Sequence, residues 1–194
     1  MRRTFSRAEL ESYRDAVVPD LLPTAPEHNL KLLFVGINPG LWTAATQTHF
    51  AHPGNRFYPA LLLGGVITEP IDPSGGMTDA QRDVLRARGI GITNLAPRAT
   101  AKASELGAEE LKEGGAALVA LVERLRPNVV AVAGITAYRT AFALPRAVLG
   151  RQPEQIAGAG LWVVPNPSGL NAHETVASLA AAYAEVARAA GILA

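Results

Sequence analysis

At 194 residues the chain can bury the core of one domain, and 48% hydrophobic against 18% charged residues is the balance of a soluble globular protein. No apolar run approaches the length of a membrane span, and the start, Met1-Arg2-Arg3-Thr4-Phe5-Ser6, lacks the apolar region of a secretion signal. With no cysteine, disulfides, thiol nucleophiles and sulfur metal sites are excluded, so a cytoplasmic enzyme (nucleoid-associated if bacterial) of one domain over residues 1–194 is expected.

Ser6 with Glu9 three residues on forms a capping box, and Leu10, Tyr13 and Val17 fall on one face of the helix it opens. The stretch 19–26, bounded by Pro19 and Pro26, breaks that helix. Leu32-Leu33-Phe34-Val35-Gly36-Ile37 is a short continuous apolar run, the pattern of a strand buried on both faces. A loop with Pro39, Gly40, Pro53 and Gly54 leads to a helix over 56–63, and the stretch 67–76, rich in Pro and Gly, reads as a surface loop. Thr78 and Gln81 form a second capping box, opening a helix that ends at Gly89 before a strand over 90–95.

A polar connection to Gly107 precedes a helix over 109–125, stopped by Pro127. Val129-Val130-Ala131-Val132-Ala133 is a third strand, followed by a short helix over 135–142 and a loop over 150–160. Leu161-Trp162-Val163-Val164 is a fourth strand, and an Ala-rich helix over 174–190 closes the chain. Strands alternating with helices predict an α/β fold, a three-layer α/β/α arrangement around a mainly parallel four-stranded sheet. No repeat, linker or low-complexity tail interrupts it.

The formal charge is only +1, but carboxylates are missing from 28–68, 84–104 and 155–173. Those windows still carry Lys31, Arg56, Arg86, Arg88, Arg98 and Lys102, so a surface built from them is expected to be neutral to basic and to suit a polyanion.

In sheets of this kind ligands bind outside the carboxyl ends of the strands. Two unusual polar segments sit there: Gly36-Ile37-Asn38-Pro39-Gly40 leaves the first strand, and Asn166-Pro167-Ser168-Gly169-Leu170-Asn171 leaves the fourth. The first, extended as Phe34-Val35-Gly36-Ile37-Asn38-Pro39-Gly40-Leu41 and followed by Phe50-Ala51-His52-Pro53-Gly54-Asn55-Arg56-Phe57, resembles the mismatch-specific uracil/thymine DNA glycosylases of the uracil-DNA glycosylase superfamily. Val164-Pro165-Asn166-Pro167-Ser168-Gly169-Leu170 resembles their second signature, and Gly91-Ile92-Thr93-Asn94-Leu95 and Arg98-Ala99-Thr100 match between them. Either motif alone is weak evidence; two in order at compatible spacing are specific.

The resemblance implies a uracil-DNA-glycosylase-like fold and a nucleotide flipped from the duplex into a pocket at the strand ends. It makes Asn38 the catalytic residue, positioning the water that attacks the sugar. An amide is no general base at neutral pH, which suits a reaction in which the base departs first and neutral water captures the cation-like sugar. Ile37, Gly40, Thr43, His49, Phe50, Asn94 and Asn166 would bind the base: Phe50 by stacking, His49 and Asn94 beside it, and Thr43 near carbon 5 of the pyrimidine. Asn166 stands where other branches of the superfamily carry a catalytic histidine. Arg56, Ser168, Gly169 and Leu170 would meet the DNA, with Ser168 on phosphate, Gly169 facing the orphaned base and Leu170 as an apolar wedge. Arg56, with His52 and Asn55, would also hold its loop.

Two departures stand out. Ala172 replaces a basic residue common in the wedge loop of relatives, and bulky Trp42 stands where small residues are common, so that it narrows the expected pocket mouth. The implied partner is double-stranded DNA containing a mispaired or damaged base, met by a monomer with no membrane, no cofactor and no metal. Other readings fit the residues less well. A nucleotide-phosphate loop lacks both Gly-Lys-Ser/Thr and G-x-G-x-x-G, and His49 with His52 has no carboxylate companion for a metal hydrolase. A catalytically weak or inactive DNA-binding member of the same superfamily remains as the alternative that an assay of uracil-containing duplex separates.

Overall fold

Alternate side chains along each apolar run go to opposite faces of one sheet, and both faces are covered. In the computed structural model, which describes residues 4–23 and 29–194, β1 (Leu32–Gly36), β2 (Ile90–Asn94), β3 (Val129–Ala133) and β5 (Ala159–Val164) pair in parallel. Met1 to Arg3, the end of the 19–26 break and His28 lie outside the described residues. Leu32, Phe34, Ala131, Trp162 and Val164 enter the core under α3 (Phe57–Leu63) and α7 (Val176–Ala189). Leu33, Val35, Val130, Val132 and Val163 enter the opposite core with α5 (Ala108–Leu125) and α6 (Ile135–Ala141). Burial on both faces is why these strands read as continuous apolar runs rather than as an alternation.

The sheet has five strands, in the order β2-β1-β3-β5-β4, and the fifth corrects the expected four. The stretch expected as a loop over 150–160 is a hairpin: β4 (Gly150–Ile156) runs antiparallel to β5 at the sheet edge. Its pattern was illegible because Gly-Arg-Gln-Pro-Glu-Gln-Ile buries only Gln152 and Ile156, and the pairing is irregular between Arg151 and Gln155. An edge position tolerates Pro153, which has no N–H to give. The turn is Ala157-Gly158, both at positive φ (50° and 86°), the backbone of a two-residue hairpin turn without its usual Asn-Gly signal.

Two smaller expectations also change. The first capping box is present, but α1 (Arg7–Glu11) stops early because Asp15 takes φ 61° and its N–H bonds Ala99 O at 2.9 Å. Leu10 and Tyr13 pack on Val18, Leu41, Ala44 and Ala99, whereas Val17 is 61% exposed instead of sharing their face. The loop expected after the first strand contains a buried helix, α2 (Leu41–Thr46), which is only six residues long and buries Thr43 and Thr46 along with its apolar residues, so no amphipathic period marks it. The second capping box opens α4 (Asp79–Ala87) as expected. No helix among the described residues is long and apolar enough to cross a membrane.

Candidate active site at the strand ends

The carboxyl ends of β1, β2 and β5 release three segments that fold onto one another. The main-chain N–H groups of Leu95 and Ala96 bond Gly36 O and Ile37 O, both at 2.9 Å, so the ends of β1 and β2 continue side by side beyond the ladder. Asn38 then turns its amide nitrogen onto three acceptors of the 98–100 segment and its own turn. Nδ2 donates to Thr100 Oγ1 at 2.7 Å and to the carbonyls of Arg98 and Pro39, each at 3.1 Å. All three partners accept, so the amide can sit only one way round, with Oδ1 left as its acceptor end. Thr100 is buried and passes its own proton to Lys102 O at 2.9 Å. Residue spacing gave no hint of this tether beyond the match of Arg98-Ala99-Thr100, because its ends lie 62 residues apart.

Phe50 lies beside Gly36. A Cβ on Gly36 would stand 3.4 Å from Phe50 Cζ and 2.4 Å from Asn94 Oδ1, so the absence of a side chain there is what admits both. Phe50 is half-buried and stacks on Phe57 with ring centroids 4.1 Å apart and planes 24° from parallel. Its φ of 56° is left-handed, a strained setting for a bulky residue, and the stack on Phe57 holds it there. Phe57 is braced in turn by Phe34, edge-on at 5.1 Å.

His49 is 5% exposed, with both ring nitrogens engaged: Nε2 meets Pro19 O at 3.0 Å and Nδ1 meets Asn94 Nδ2 at 3.3 Å. Burial lowers its pKa from the ordinary 6.5, against the opposing pull of the Pro19 carbonyl and of Asp20, and the ring is neutral. Thr43 is buried on α2, its Oγ1 accepting from Ala51 N at 3.4 Å next to Phe50. Gly40 caps α2 with extended backbone and no side chain. Trp42 is held by its own contacts: its indole N–H bonds Ser74 O at 2.9 Å, and the ring meets Phe5 and His52 edge-on.

The second polar segment is fastened to the first through Arg56. Its main-chain N–H bonds Pro167 O at 3.0 Å, and its guanidinium donates to the carbonyls of Ser168 (2.5 Å), Asn171 (2.7 Å) and Glu174. This arginine shapes the loop, and those donors point into protein rather than toward phosphate. A Cβ on Gly169 would come within 2.5 Å of Gly54 O, so the two loops touch backbone to backbone. Asn166 Oδ1 accepts from Ser168 N at 2.9 Å, leaving its Nδ2 as a donor near Gly134 and Ile37. Ser168 Oγ accepts from Leu170 N at 3.3 Å. Leu170 itself is 91% exposed at the loop tip.

The basic surface expected from the carboxylate-free windows is smaller than their composition suggests. Arg98 forks onto Glu110 (2.7 and 3.0 Å) and reaches Asp15 at 3.0 Å, and Arg86 meets Asp83 at 3.0 Å. The Arg98 guanidinium holds the Glu110 carboxyl below the usual range. Carboxylates absent from a window arrive from elsewhere in the fold, and Arg98 serves as a brace for the segment that tethers Asn38. Among the described residues, no group of three or more His, Cys, Asp or Glu could hold a metal ion.

The family model described as the uracil DNA glycosylase superfamily matches residues 22–187. The chain belongs to the uracil DNA glycosylase superfamily. Its five-stranded, mostly parallel sheet flanked by helices agrees with the fold of that superfamily. Membership carries DNA glycosylase chemistry on uracil, a hydrolysis within DNA repair. The structure brings Ile37, Asn38, Phe50, Asn94 and Asn166 around the ends of β1, β2 and β5, and puts Ser168, Gly169 and Leu170 on the adjoining loop.

Proposed function

We propose that the chain is a monofunctional, mismatch-specific glycosylase that hydrolyses the N-glycosidic bond of uracil paired with guanine, acting as one domain and as a monomer on double-stranded DNA. The observation that carries this reading is the triple tether of Asn38 Nδ2, which leaves Oδ1 as a fixed acceptor at the end of β1. An acceptor at that place orients a water by taking one of its hydrogens and aims the oxygen at a sugar carbon. The base leaves first with its bonding electrons, and Asn166 Nδ2 supplies a donor to the negative charge that gathers on it. Water then bonds to the cation-like sugar carbon and releases a proton to solvent, leaving an abasic site in an intact strand.

Phe50 provides the stacking surface, Ile37, Gly40, Thr43, His49 and Asn94 surround it, and Leu170 fills the gap in the duplex while Ser168 and Gly169 meet the backbone and the orphaned base. Arg56 contributes to DNA binding by holding that loop in shape. No lysine lies in either signature, so neither supplies the activated amine that strand cutting through a Schiff base needs. A cytoplasmic or nucleoid location accords with this substrate.

The test is a panel of labelled duplexes carrying uracil opposite guanine, uracil opposite adenine and thymine opposite guanine, read by alkaline cleavage at abasic sites. Uracil opposite guanine is expected to be cut fastest, only after alkali, and with chelator present. No release of uracil from any duplex, or a borohydride-trapped covalent adduct, overturns the reading.

A further inference from the structure

His52 is exposed, yet its ring is held in place. Nδ1 accepts from Gly54 N at 3.1 Å, and the half-buried indole of Trp42 meets the ring edge-on, with centroids 5.9 Å apart and planes at 72°. The ring also lies against Gly54, where a Cβ would stand 3.4 Å from Nδ1 and 3.5 Å from Cε1. Trp42 is fixed in turn by its bond to Ser74 O and by Phe5, edge-on at 4.9 Å. An exposed side chain ordered to this degree has already lost the freedom that binding a ligand would otherwise take from it.

The same contacts decide where its hydrogen sits. A main-chain N–H only donates, so Nδ1 carries no hydrogen and a neutral imidazole must carry its one N–H on Nε2. Among the described residues no hydrogen bond takes up that Nε2–H. The donor stands beside the wedge: the ring rests on Gly54, the carbonyl of Gly54 presses on the backbone of Gly169, and the next residue is the 91%-exposed Leu170. Neither loop brings a carboxylate of its own, since residues 28–68 and 155–173 contain no Asp or Glu. Cationic donors are scarce here as well. Arg56 is spent on carbonyls, Arg98 on Glu110 and Asp15, and Ala172 has no polar side chain to offer.

We propose that His52 is a DNA-binding residue whose Nε2–H donates to a backbone phosphate beside the gap that Leu170 fills, with Trp42 holding the ring at that place. This rests on duplex DNA being the substrate and on Leu170 entering it. A phosphate is an acceptor only and carries the negative charge that the surroundings of this N–H lack. The contact is made before the glycosidic bond breaks and persists while it does, so it strengthens binding without changing the rate of the chemical step.

The experiment separates this role from that of a residue that only closes its loop. Asparagine keeps an acceptor where Nδ1 stands but ends one atom short of Nε2, whereas glutamine carries an N–H out to the Nε2 position. Fluorescence anisotropy measures the affinity of the wild type, His52→Asn and His52→Gln for a duplex carrying a tetrahydrofuran abasic analogue opposite guanine, which cannot be excised. Each phosphate around the analogue, on both strands, is then replaced in turn by a neutral methylphosphonate. His52→Asn should bind about tenfold more weakly, with His52→Gln between it and the wild type. One methylphosphonate should weaken the wild type by a similar factor and cost His52→Asn nothing further. Single-turnover release of uracil at saturating enzyme should stay near wild type in both variants. Wild-type affinity in His52→Asn, weaker binding by His52→Gln than by His52→Asn, or equal losses of wild type and His52→Asn at every methylphosphonate overturns the inference. Coupling to one phosphate without any release of uracil defeats the proposed function alone, whereas uracil release without that coupling defeats the inference alone.

Discussion

Leu170→Ala separates a wedge from a packing residue, because the free protein does almost nothing with this side chain. Leu170 is 91% exposed, so truncation uncovers little apolar area and leaves no cavity. Its effect on stability should stay within about 0.5 kcal/mol, the range for exposed positions away from caps and networks. Inserted into a duplex, the same side chain would be buried, and full burial of a leucine is worth roughly 1.5–3 kcal/mol. At 1.36 kcal/mol per factor of ten, the truncated enzyme should lose about ten- to a hundredfold in single-turnover excision from duplex. A single strand has no stack to hold open, so uracil there should be released at close to the wild-type rate. Thermal unfolding of the two proteins checks the stability half, and paired duplex and single-strand time courses check the other. Equal losses on both substrates, or a melting temperature lowered by several degrees, would refute the argument and return Leu170 to the role of a loop residue.

Asn38→Ala should abolish most excision while the affinity for uracil-containing duplex, measured by anisotropy, stays near wild type; parallel losses would argue against a water-positioning role. Thr43→Gly should raise thymine release relative to uracil, because the stiff, buried side chain beside Ala51 is removed from the space near carbon 5. An overpacked methyl group commonly costs about 1–3 kcal/mol, so the ratio should move several-fold or more, and an unchanged ratio counts against that placement. Acid should destabilise the fold through His49. Its pKa is lowered in the folded protein, so as pH falls below about 6.5 the unfolded chain binds a proton that the buried ring refuses. Stability from this source is present above that pH and declines below it, and His49→Gln should flatten that part of a denaturation-midpoint series; an unchanged slope would locate the acid sensitivity elsewhere.

The parallel strands, the caps of α1 and α4 and the two polar segments at the strand ends are legible in the amino-acid order, because each depends on neighbours a few residues away. Continuous apolar runs of five or six residues can be satisfied only by burial on both faces, and helices between them enforce parallel pairing. The antiparallel hairpin at β4 was not legible, since an edge strand needs few apolar residues and its turn uses Ala157 where Asn is usual. Nor were the partners of the polar groups. Thr100 reaches Asn38 across 62 positions, the carbonyls of Ser168 and Asn171 reach Arg56 across 112 and 115, and Asp15 reaches Arg98 across 83. A sequence names the donors and acceptors a site can use. Which of them are consumed within the protein, and which end of an amide is therefore left to face a ligand, is decided only when distant segments are packed together and every buried polar group must find its partner.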